Sequence, residues 1–292
     1  MERRGFMEGP NSTESRMAWI GLTVLVVATM LVFAFVFLDA GRILDHSSAQ
    51  SSTSTDTDDK TPSTDSDLIA AEIEEYRTIM NGYQTKKDSP YLILVDEAHP
   101  LPEDYTVELA PLHWGGDSLR MEKIVASSIN TFLSAADRAG YSVTVTAAYR
   151  SRQEQQRLYD AEVSRYLDGK HTVEAARAYA AKKVGSVDCS EHQLGFALDF
   201  DAKSMAQIGN DGKTFATYLD ENIHKFGFIF CADTERDDLP EGEEQTYHYR
   251  YVGVDVASDM KVRSIATLSE YHDFLSVQIT YYKQKIDSLE KR

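Results

Sequence analysis

SEHQLGFALDF, residues 190–200, is the stretch on which the reading of the whole chain turns. His192 stands seven residues before Asp199, and Gly195 between them permits the backbone bend that joins a loop to a following strand. Imidazole and carboxylate are both ordinary zinc ligands. A catalytic zinc takes three protein ligands and keeps one position open for water, so this pair needs a third donor from elsewhere in the chain. His248, inside the aromatic, strand-like run TYHYRYVG (246–253), is the candidate. Spacing alone leaves the metal reading open, because His-x6-Asp is a loose pattern. The remaining histidines, His46, His99, His113, His171, His224 and His272, stand outside any compact group of ligand-type residues and read as surface or satisfied core side chains.

Working outward, helices alternate with short strands from residue 85 onward. YLILV (91–95), YSVTVTAAY (141–149), FALDFDA (196–202), FGFIFC (226–231) and YHYRYVG (247–253) read as strands. SLRMEKIVASSINTFLSAADRAG (118–140) places Met121, Ile124, Val125, Phe132 and Leu133 at helical spacing, with Gly140 as its stop. Helices also fit 151–167, 172–184 and 213–225, and a terminal helical stretch starts near Thr267. The mixture predicts one α+β domain, a small antiparallel sheet covered by helices, rather than a regular parallel α/β fold.

The 292 residues carry a formal net charge of -17, which argues against a nucleic-acid partner, since phosphate binding needs clustered Lys and Arg. Met17–Leu38 is an apolar run without a charge, long enough at roughly 33 Å to span a bilayer's hydrocarbon core. It exceeds the apolar region of a cleavable signal peptide, and DAGRILDH rather than a small-residue cleavage site follows it. Arg3, Arg4 and Arg16 precede the run and only Arg42 closely follows it, so the positive-inside bias places the N-terminus in the cytoplasm and the rest of the chain outside the cell. The expected organisation is therefore a cytoplasmic N-terminus (1–16), a single-pass membrane anchor (17–38), a disordered Ser/Thr/Asp-rich linker (39–66) and a linking helix (67–84). The main domain (85–276) and a helical C-terminal tail (277–292), whose alternating charges suit a solvated end, complete the chain. The two cysteines, Cys189 and Cys231, read equally as one disulfide or as unpaired core residues.

Three blocks carry a resemblance: AAYRSRQEQQRLY (147–159), SEHQLGFALDF (190–200) and YHYRYVG (247–253). In that order and at those spacings the chain resembles the VanY-like zinc D-alanyl-D-alanine carboxypeptidases, and ILVDEAHPLPEDYTVEL (93–109) is similar to that family's entry segment. The family's Ser-x-His-x-x-Gly-x-Ala-x-Asp core is matched by Ser190, His192, Gly195, Ala197 and Asp199. The resemblance implies a hedgehog/D-Ala-D-Ala-carboxypeptidase-like fold and one zinc held by His192, Asp199 and His248. It implies that Arg150 faces the scissile carbonyl, a role a permanently charged guanidinium suits. Ser151, Gln155 and Ser190 match positions lining the substrate cleft, and Tyr247, beside the last ligand where the family usually has tryptophan, is counted with them as substrate-binding.

The family's general base is a glutamate three residues before the last zinc histidine, and here that position is Gln245. A carboxamide keeps a carboxylate's shape but takes no proton at neutral pH. Glu244 or Glu243 swinging in, an acid of ADTERDDLPEGEE (232–244), or Gln245 merely orienting water are the available rescues. The implied activity is removal of the terminal D-alanine from peptidoglycan stem peptides. The alternatives are a catalytically weakened relative that binds cell-wall peptides, and an L,D-carboxypeptidase acting on tetrapeptides.

Overall fold

The structure, a computed structural model, describes residues 64–114, 118–167, 169, 171–231 and 246–292. Helix α1 (Asp65–Lys87) is followed by strands β1 (Leu109–Pro111) and β2 (Arg120–Glu122), helix α2 (Lys123–Arg138), strand β3 (Val145–Ala147) and helices α3 (Arg152–Tyr166) and α4 (Val173–Val184). Strand β4 (Ala197–Asp201), the short helices α5 (Ala202–Met205) and α6 (Phe215–Asn222), strands β5 (Phe228–Phe230) and β6 (Thr246–Tyr251), and helices α7 (Val254–Arg263) and α8 (Leu268–Leu289) complete the order. The expected anchor, 17–38, and the linker up to residue 63 lie outside the described residues. Among the described residues no helix is long and apolar enough to cross a membrane.

Capping chemistry sets the helix starts. Thr64, Ser151 and Thr267 each accept a hydrogen bond from the backbone nitrogen three residues on, and Asp67, Glu154 and Glu270 reciprocate, closing capping boxes on α1, α3 and α8. The box at Thr64 starts α1 at Asp65, ahead of the linking helix expected from residue 67. Glu122 caps α2, so SLRME does not open a helix as its periodicity predicts: Arg120–Glu122 pairs instead with Leu109–Pro111. YLILV is not a strand either. Ser89 and Pro90 start a 3-10 turn at Pro90–Leu92, and the carbonyls of Tyr91, Leu92 and Ile93 accept from Arg250 and His272 side chains rather than from a strand ladder.

The main sheet runs β3-β4-β6-β5, antiparallel throughout. Side chains alternate across it. Leu198, Phe200 and Tyr249 enter a core against Val125, Ile129, Phe132 and Leu133 of α2, where each fully buried apolar side chain contributes about 1.5–3 kcal/mol. Asp199, His248 and Arg250 take the other face. A second cluster, with Val256 and Met260 of α7 and Tyr271 and Leu275 of α8, packs beneath Leu92, Ile229 and Val252.

Helix α8 runs unbroken across the boundary expected at 276/277, and its end is not a solvated tail. It packs antiparallel to α1 through Tyr76–Tyr282 and Tyr83–Phe274 ring contacts and an Arg77–Glu290 ion pair, with Ile286 and Leu289 buried.

Candidate metal centre

His192, Asp199 and His248 reach one point from three elements. His192 sits in the 3-10 turn Glu191–Leu194, which Gly195 closes in the left-handed conformation (φ 79°). A Cβ at that glycine would lie 3.1 Å from the Glu122 backbone nitrogen, which itself donates to the Gly195 carbonyl. Asp199 of β4 and His248 of β6 are direct cross-strand partners and so share a face of the sheet. Nε2 of His192 lies 3.3 Å from Oδ2 of Asp199, and Nδ1 of His248 lies 2.7 Å from Oδ1. One ligand atom from each residue falls within 4.8 Å of the other two.

The opposite ring nitrogens are engaged as well. Nδ1 of His192 is 2.7 Å from the Ala148 carbonyl, and Nε2 of His248 is 2.9 Å from Oε2 of Glu191. A proton on each of those atoms fixes the tautomers that leave the Nε2 lone pair of His192 and the Nδ1 lone pair of His248 facing Asp199. The carbonyl and the carboxylate are the orienting partners that metal-bound imidazoles take.

Charges at the centre are strongly coupled. Burial disfavours a charged His248, yet hydrogen bonds to Asp199 and Glu191 outweigh it and raise its pKa to about 9. Burial pushes His192 below its ordinary value. It also works against ionised Asp199, but His192 and His248 hold that carboxyl well below the usual carboxylate range. Glu191 follows the same pattern: burial opposes its charge, while Arg250 and His248 draw its pKa down to about 2. Two imidazoles and a carboxylate are a zinc donor set, whereas magnesium and calcium prefer all-oxygen cages. The residues fit a zinc ion that takes the place of the proton shared by His248 and Asp199.

Arg150 stands over this centre. Its backbone nitrogen donates to the His192 carbonyl at 3.1 Å, Nη1 donates to Oε1 of Gln155 at 3.1 Å, and Nη2 lies 3.6 Å from Oδ2 of Asp199. The centre opens into a cleft of about 720 Å³ whose wall includes Arg150, Ser190, Glu191, Cys231 and Thr267. Ser190, expected in the cleft, is part of that wall.

Three other residues expected in the cleft have their side chains engaged elsewhere. Gln155 is wholly buried: its amide donates to the carbonyls of Val184 (2.6 Å) and Gly185 (2.8 Å), and its oxygen holds Arg150. The Ser151 hydroxyl is spent on the α3 capping box. Tyr247 faces away from His248, into a second, apolar cavity beside Phe230 and Tyr249. Gln245 and Glu244, the residues named for proton transfer, lie outside the described residues. No disulfide joins Cys189 and Cys231.

Glu191 and Arg250 are functional residues the motif reading passed over. Arg250 has no exposed surface; its Nε donates to the Tyr251 carbonyl, Nη2 donates to the carbonyls of Tyr91 and Ile93, and Nη1 stands 3.5 Å from Oε1 of Glu191. The period of two in HYR puts Arg250 on the face of His248, a legible signal. No spacing rule marks Glu191, which occupies a free position between Ser190 and His192.

Known proteins resemble this chain in sequence and in fold. The family model described as "VanY: D-alanyl-D-alanine carboxypeptidase" matches residues 118–254. A D-alanyl-D-alanine carboxypeptidase of Enterococcus faecalis (strain ATCC 700802 / V583) is 31% identical over 202 residues, covering 69% of this chain and 73% of that protein. Among solved structures, VanYB in complex with D-Alanine-D-Alanine is similar with a TM-score of 0.52 and 31% identity, over 63% of this chain and 98% of that one. A mutant of the vancomycin resistance D,D-pentapeptidase VanY in complex with Zn(II) gives a TM-score of 0.50 and 31% identity, over 62% and 98%.

Proposed function

Because the chain belongs to the VanY family of D-alanyl-D-alanine carboxypeptidases, we propose that it is a zinc D,D-carboxypeptidase that removes the terminal D-alanine of peptidoglycan stem peptides. One observation carries the reading: both candidate histidines turn a ring nitrogen toward Asp199 while their second nitrogens are held by Ala148 and Glu191. Zinc bound there supplies a Lewis acid for the peptide carbonyl and a water of lowered pKa.

The chain's own residues supply the rest. Arg150, oriented by Gln155, offers N–H donors to the oxygen that gains negative charge as the peptide bond is attacked. Glu191 keeps the proton on Nε2 of His248 and so keeps Nδ1 available as a ligand. It does not replace the missing base, because its pKa of about 2 leaves it little affinity for a proton and it sits on the far side of His248 from Asp199. Gln245 occupies the base position in the sequence, and a carboxamide there favours a slow enzyme or, in the second reading, a module that binds cell-wall peptides without cutting them.

Met17–Leu38 and the arginines before it support a single-pass protein whose carboxypeptidase domain faces the cell wall. Protease added to intact cells should remove that domain. The deciding assay is D-alanine release from a stem pentapeptide by the zinc-loaded full-length protein: slow release is expected, and peptide binding without release at any zinc concentration would establish the binding module instead. Release from a tetrapeptide alone would establish the L,D activity.

A further inference from the structure

We propose that Glu191, Cys231 and Nε2 of His248 form a second metal site, for a thiophilic divalent ion such as Cd2+ or zinc in excess, sharing its histidine with the first centre. The three ligand atoms lie within 4.8 Å of one another. Oε2 of Glu191 is 2.9 Å from Nε2 of His248 and 4.0 Å from the Cys231 sulfur, which donates to it. Arg250 engages the other carboxylate oxygen, Oε1, and so leaves Oε2 to face the histidine and the thiol. Thiolate, imidazole and carboxylate together are a donor set for zinc and its softer relatives. All three residues are partly open to the cleft, which gives an ion a route in.

Binding is an acid–base exchange without redox change: the Cys231 S–H proton and the Nε2 proton of His248 leave to solvent as the ion takes their places. The ion also takes Glu191 away from His248. Metal in excess therefore disturbs the ligand that the first centre depends on, and this second site acts as an inhibitory one. It does not depend on the peptidase reading, because its signature is spectroscopic.

The test is a titration of the zinc-loaded full-length protein with Cd2+, followed by thiolate-to-cadmium absorption in the ultraviolet. A band saturating at one equivalent is expected. Cys231→Ser and Cys231→Ala should abolish it while retaining stoichiometric zinc, Cys189→Ser should keep it, and Glu191→Gln should weaken Cd2+ binding at least about tenfold. No band in the unaltered protein, a band that survives loss of the Cys231 thiol, or unchanged affinity in Glu191→Gln would overturn the proposal.

Discussion

The strand pair β4–β6 and the helix pair α1–α8 both join segments distant in sequence, yet different means hold them. In the strand pair a backbone ladder sets Asp199 opposite His248, and the side chains around them have specific partners: Ala148 for His192, Glu191 for His248, Gln155 for Arg150. In the helix pair no residue of α1 is fully buried, and contact rests on half-exposed aromatic rings and the surface ion pair Arg77–Glu290. Surface ion pairs contribute about 0–1 kcal/mol, so the helix pair is a graded contact. The strand pair is closer to all-or-none, because each substitution there leaves a buried charge unanswered.

If that contrast holds, the largest effect follows from His248→Ala. Bound zinc, measured by metal analysis, should fall from one equivalent to background, and D-alanine release should go with it. Gln245→Glu comes next: it should raise the rate of release by about 10²–10⁴, the usual worth of a general base, with metal content unchanged. An unaltered rate would mean that another acid already serves. Glu191→Gln keeps the shape but not the charge, and should weaken zinc by about 10–100-fold in a chelator competition, as loss of an orienting partner does. Zinc affinity equal to that of the unaltered protein would reduce Glu191 to a bystander.

The smallest effect belongs to the helix pair. Tyr83 meets Phe274 edge-on at 6.1 Å and stacks on Tyr282 at 6.1 Å, and such ring pairs are worth about 0.5–1.5 kcal/mol each. Tyr83→Ala should lower unfolding stability by roughly 1–3 kcal/mol while zinc affinity and release rate stay put. A change in either of the last two would erase the distinction between the regions.

Residues whose role is a matter of type and order were legible in the sequence. His192, Asp199 and His248 stand in matched blocks, and the α+β class followed from the mixing of periods. Roles that depend on where a side chain ends up were not. Gln155 matches a cleft position but turns inward, because the carbonyls of Val184 and Gly185 at the end of α4 claim its amide. Tyr247 adjoins a ligand in sequence and for that reason faces the opposite side of the sheet. YLILV has a strand's composition, but its carbonyls serve buried side chains, a demand no local pattern announces. Glu191 pairs with His248 across 57 positions through a turn whose angle the glycine sets.

The guanidinium of Arg250 has a consequence for which exchanges this position tolerates. Its three nitrogens serve four partners in different directions: the carbonyls of Tyr91, Ile93 and Tyr251, and the Glu191 carboxylate. Lysine would preserve the charge but brings a single nitrogen that cannot span them. A swap that is routine on an open surface would here untie the 90–95 segment, so in this chain two residues usually grouped as equivalents belong to different alphabets.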